Sequence, residues 1–197
     1  MKKKLLIAHG ELKHYRVPLF NFLENYFQVI LVDGGEKCND VVFERKNLNT
    51  FRLFKLRFMT GFFINCIRSN PDIVLLPDHL RWPQFLVLRF LMPRKHFVWF
   101  GFEKNKFNLI TFLKTKLVKI LRDPIIVYSN LQSDLFLTHG IPKNKIFNIN
   151  NTVSGFDMLK YSDTKKTETK KDVFINVGSL HKRKQNEVLI SAVAKLE

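Results

Sequence analysis

Short apolar runs alternate with stretches of helical period along most of the chain. KLLIA at 4–8, FQVILV at 27–32, IVLL at 73–76, HFVWF at 96–100, IIVYS at 125–129 and KIFNI at 145–149 are strand-length runs rich in β-branched and aromatic residues. Between them, apolar residues return every three or four positions, which predicts helices over 17–26, 51–68, 83–92, 106–121 and 131–139. Pro18 stands where a first-turn proline is tolerated, and Gly140 followed by Pro142 marks a helix end. Strands near-continuous in apolar residues, each followed by a helix, predict parallel α/β winding.

The period is lost over 158–171, MLKYSDTKKTETKK, a charged and Thr-rich stretch that reads as a linker. It returns at 172–197 as one further unit. Val173, Phe174, Ile175 and Val177 form a strand and Gly178 allows a turn. A helix then carries Val188, Leu189, Ala192, Val193 and Leu196 on one face. Such a strand–turn–helix aims backbone N–H groups and the positive end of a helix dipole at one point, and Lys182, Arg183 and Lys184 stand beside it. Phosphate is the natural guest. The organisation expected is a domain over 1–157, a linker over 158–171 and the first strand–turn–helix of a second domain over 172–197. One βα unit cannot bury both faces of its strand, so that second domain reads as truncated.

Charge changes this picture. The 197 residues carry a net charge of +16, which draws the chain to polyanions: phosphorylated substrates, an anionic bilayer or nucleic acid. With 46% hydrophobic and 25% charged residues, the chain is a folded protein. Cys38 and Cys66 make neither a disulfide framework nor a metal cluster. No run reaches the ~20 apolar residues of a membrane span, and Leu5–Ala8 is shorter than the ~7–15-residue core of a signal peptide, so a cytoplasmic location is expected. Two strongly basic stretches lack any carboxylate: 51–68, with five phenylalanines among Arg52, Lys55, Arg57 and Arg68, and 104–122, with leucines every fourth residue. The second fits a helix covering the sheet. The first reads equally as a core helix with a solvated basic face or as an amphipathic helix lying in a membrane interface.

Taken in order, several segments resemble family 4 of the glycosyltransferases, retaining enzymes with two facing Rossmann-like domains, the GT-B architecture. HYRVPLFNFL at 14–23, PDIVLLPD at 71–78, THGIPKNKIFNINNTVSGFD at 138–157 and the Val177-Gly178-Ser179-Leu180 turn with Lys184 follow the family's sequence of motifs. The resemblance implies an N-terminal acceptor-side domain and the start of a nucleotide-sugar-binding domain. It implies transfer of a hexose-type sugar from a nucleotide diphosphate donor to a lipid-linked or polysaccharide acceptor, in cell-envelope glycan assembly. Gly178, Ser179, Arg183 and Lys184 would bind the donor diphosphate, with Lys184 stabilising charge on the leaving group, so that no metal or other cofactor is expected. Gly10 would lie in the cleft loop after the first strand, Arg16 could meet an anionic acceptor, and Glu103 could accept hydrogen bonds from acceptor hydroxyls. The family's paired glutamates would lie beyond residue 197, so a further chain supplying the rest of the second domain is an expected partner. The family's use of basic amphipathic helices favours the membrane reading of 51–68, on the inner face of the cell membrane. The alternative is a non-catalytic basic module that binds an anionic membrane, a partner or nucleic acid; no zinc spacing, RNP-type motif or helix-turn-helix supports the last.

Overall fold

The computed structural model describes residues 1–35, 40–77, 81–101 and 109–149, and for 109–114 the backbone alone. The chain divides into two compact units, Met1–Asp157 and Met158–Glu197; the described residues belong to the first. Expectations for Glu103, the 158–171 linker and Gly178, Ser179, Arg183 and Lys184 lie outside the described residues.

All six predicted strands of the first unit are present, as β1 (Lys4–His9), β2 (Gln28–Asp33), β6 (Ile73–Pro77), β7 (His96–Phe100), β8 (Ile125–Val127) and β9 (Ile146–Asn148). Three more, β3 (Glu44–Asn47), β4 (Thr50–Leu53) and β5 (Leu56–Met59), were not expected. Among the described residues seven strands form one sheet in the order β3-β2-β1-β6-β7-β8-β9, each paired parallel to its neighbours. Period-2 alternation divides its residues between two cores. Leu6, Ala8, Ile30, Val32, Val74, Leu76, Phe97, Trp99, Ile125 and Val127 face one side. Leu5, Ile7, Val29 and Leu31 face the other, against Val17 and Phe20 of α1 (Val17–Leu23). On the first side lie α2 (Phe62–Ser69), through Phe62 and Cys66, and α3 (Pro83–Leu91), through Phe85 and Leu88. Helix α4 (Leu109–Leu121) sends Val118 into the same core. Doubly covered strands explain the unbroken apolar runs.

Local chemistry accounts for the helix ends. Helix α5 (Asn130–Thr138) begins at Ser129, whose Oγ accepts from the Gln132 N–H at 3.3 Å, while Gln132 Oε1 accepts from the Tyr128 N–H at 2.9 Å. It ends where the Gly140 N–H donates to the Leu137 carbonyl and the Ile141 N–H to Phe136, just before Pro142.

The helix expected over 51–68 is a correction. Residues 50–59 form an antiparallel hairpin, β4–β5, and only Phe62–Ser69 is helical. Phe51, Phe54, Phe58 and Phe62 stand three and four residues apart, which imitates a helical stripe, but Phe51, Leu53, Leu56 and Phe58 equally fill one face of a two-stranded ribbon. Long-range bonds decide between them. The Arg57 N–H donates to the Arg81 carbonyl at 2.7 Å, and the Met59 N–H to Gln84 Oε1 at 3.0 Å. Gly61 then takes φ +72°, a left-handed conformation that stops any continuous helix there.

Candidate functional site

The chain winds outward from β1 through β2 to β3, then crosses back to place β6 on the other side of β1. Ligands of open α/β sheets bind beyond the strand C-termini at such a reversal. At that edge stand His9, which ends β1, with Gly10 after it; Asp33, which ends β2; Phe100, which ends β7, with Gly101 after it; and Tyr128 after β8.

Arg16 is the cation of this edge, held from two sides. The 3-10 turn His14–Arg16 brings its guanidinium over the Phe100 ring at 5.4 Å, and its Nη1 lies 2.7 Å from His9 Nε2. The His9 ring in turn lies 5.8 Å from Phe100, centroid to centroid. Arginine is donor-only, so in this contact His9 Nε2 can serve only as the acceptor. The Glu11 N–H points at His9 Nδ1 from 3.2 Å, a longer contact. A guanidinium held by an imidazole and an aromatic face has restricted rotamers and keeps further N–H donors for an anion. Among the described residues no carboxylate forms an ion pair with Arg16.

Gly10 has a packing role: a Cβ there would sit 2.5 Å from the Trp82 indole nitrogen. Trp82, itself buried, wedges beneath the β1 loop at the start of α3 and stacks on Phe85. Asp33 ends β2 where dinucleotide-binding sheets place a ribose-binding acid. Here it is fully buried and already committed. Its Oδ2 accepts from the N–H groups of Leu12 and Gly35, both at 3.2 Å, and the Arg45 guanidinium grips both oxygens at 2.9 and 2.8 Å. It ties the loops after β1 and β2 to β3 and has no face left for a ligand. An acid closing the apolar run QVILVD before Gly34-Gly35 was the sequence signal for it. The Glu11–Lys13 pair at 2.8 Å is solvent-exposed and holds little. His96 opens β7, at the opposite edge, away from this site. No group of His, Cys, Asp and Glu among the described residues is arranged to hold a metal ion.

No protein-family model matches the chain, and no curated protein matches it. Solved structures do. The fold is Rossmann-like, of the GT-B kind. A glycosyltransferase from Rickettsia africae superposes with a TM-score of 0.62 at 15% identity, over 100% of this chain and 58% of its own. Anabaena HepE, in complex with UDP and glucose, gives 0.53 at 12% identity, over 81% of this chain and 49% of its own. A UDP-N-acetylglucosamine 2-epimerase gives 0.53 at 13%, over 86% and 53%. The chain thus spans about half the length of these structures.

Proposed function

We propose that this chain forms the acceptor side of a GT-B glycosyltransferase that moves a hexose-type sugar, with retention, from a nucleotide diphosphate donor to a lipid-linked or polysaccharide acceptor. The observation that carries this reading is Arg16, held by His9 and Phe100 at the strand reversal of a GT-B-like sheet. A cation fixed there suits an acceptor bearing phosphate. Gly178, Ser179, Arg183 and Lys184 would hold the donor diphosphate; Lys184 would stabilise the departing nucleotide's charge without a metal. The work belongs at the cytoplasmic face of an anionic membrane, in cell-envelope glycan assembly.

The test separates the two sides. Titration with UDP at about 1 mM, followed by NMR, is expected to shift Gly178–Lys184 resonances in wild type and not in Lys184→Ala. Arg16→Gln is expected to leave that response unchanged and to lower transfer from a nucleotide-sugar donor to a phosphorylated acceptor about 10- to 100-fold. No UDP response in wild type refutes the donor assignment; an Arg16→Gln enzyme with unaltered transfer refutes the acceptor assignment. The epimerase likeness supports a second reading, C2 inversion of a UDP-sugar, which would appear as an epimeric UDP-sugar without any acceptor.

A further inference from the structure

The hairpin β4–β5 is built the wrong way round for water. Its register pairs Phe51 with Phe58, Arg52 with Arg57 and Leu53 with Leu56. One face is therefore Phe51, Leu53, Leu56 and Phe58, with the two rings stacked at 5.4 Å. Phe51 and Leu53 are more than half exposed, and Leu56 is exposed as well. At the tip Phe54 is 87% exposed with φ +53°, at the first of the two turn positions, where a short hairpin favours glycine or asparagine. A bulky side chain kept in that conformation in open solvent is strained with no packing to offset it, and such outliers gather at functional contacts. Arg52 Nε braces the turn by donating to the Phe54 carbonyl at 2.7 Å. The other face sets Arg52 directly opposite Arg57, a like-charge pair that disfavours the ribbon unless an anion sits between. Arg81 lies beside them, its carbonyl bonded to the Arg57 N–H, and Lys55 completes the tip. From 47 to 71 the chain has four cations and no carboxylate, so the surroundings reinforce one sign.

We propose that this hairpin is a membrane-contacting finger, with Phe54 and the apolar face entering the interfacial layer of an anionic bilayer while Arg52, Lys55 and Arg57 meet lipid phosphates. A bilayer interface offers both chemistries the hairpin lacks in water: acyl surface for the phenyl and leucyl groups and a dense anionic layer at the depth of the arginines. Each cation near such a surface strengthens partition roughly fivefold. The inference rests on the membrane association proposed above and replaces its helical device with a strand one.

The full chain is floated with vesicles of phosphatidylcholine containing about one-third phosphatidylglycerol, and with phosphatidylcholine alone. Phe54→Gly suits the backbone and should fold at least as well as wild type, yet lose about tenfold in partition through the missing ring. Arg52→Gln/Arg57→Gln is expected to erase most of the preference for anionic vesicles, and Phe22→Ser, on the exposed side of α1, to change nothing. Phe54→Trp should be quenched by brominated lipid, whereas Trp82 and Trp99 are buried and shielded. Wild type binding with Phe54→Gly unchanged overturns the finger and leaves membrane association standing. Wild type absent from both vesicle types overturns the finger and membrane association together. Tighter binding to duplex DNA or to RNA than to anionic vesicles, weakened by the arginine variants, overturns the finger in favour of a nucleic-acid surface.

Discussion

Replacing Asp33 with Ala tests how the site's frame is held. The carboxylate has no solvent exposure and accepts from two backbone N–H groups and from both arms of the Arg45 guanidinium, whose side chain is 11% exposed. Its loss takes from a largely buried cation the carboxylate that grips both its arms, and from two loop N–H groups this acceptor. Removing one partner of a buried pair costs about 3–5 kcal/mol. At roughly 2–4 °C per kcal/mol for a domain of this size, the midpoint should fall by about 6–20 °C. Buried Trp82 and Trp99 report the transition by fluorescence in urea. The Asp33→Ala/Arg45→Met double variant removes the stranded charge and should be less destabilised than the two single changes summed, by about 2 kcal/mol or more. Asp33→Ala losing less than about 1 kcal/mol, or a strictly additive cycle, would refute the claim that this pair is a buried, committed tie. The segment holding Arg16 hangs from the same carboxylate through Leu12, so under the proposed function the milder Asp33→Asn variant should show a raised KM for the acceptor.

Two further outcomes are expected. Gly10→Ala drives a methyl into the Trp82 indole and should cost about 1–3 kcal/mol, with a changed tryptophan emission; an unaltered spectrum and midpoint would show that the indole moves freely. Burial pushes the Cys66 thiol well above its ordinary value of 9.0, the nearby Lys46 charge offsetting only part of this, so in a Cys38→Ser background it should react with Ellman's reagent only as fast as the protein opens. The linkage runs one way. Below pH 9.0 the thiol is protonated in both states and contributes no pH dependence; above it the unfolded chain releases the proton first, so stability falls as pH rises. Rapid labelling at pH 8 in native buffer would contradict the buried placement.

Local pattern alone determined most of the sheet. KLLIA, QVILV, IVLL, HFVWF and IIV can be buried on two faces only as parallel strands, and Ser129, Gly140 and Pro142 mark helix boundaries through bonds a few residues long. Strand order and the reversal beside β1 were not in that pattern; the GT-B resemblance rests instead on ordered motifs such as Val177-Gly178-Ser179-Leu180 with Lys184. Tertiary structure decided what depends on distant partners. Strand β3 reads as charged surface, ERKN, and becomes an edge strand because Arg45 finds Asp33 twelve residues back. Gly10 reads as a loop glycine, and its need comes from an indole 72 residues along the chain. The phenylalanines of 51–58 satisfy a helical and an extended period at once. Arg81 and Gln84, bonding the backbone of Arg57 and Met59 across more than twenty residues, turn that ambiguity into a hairpin. Periodicity reports which faces are apolar; only a partner brought close by the fold determines which of two compatible backbones has its N–H groups satisfied.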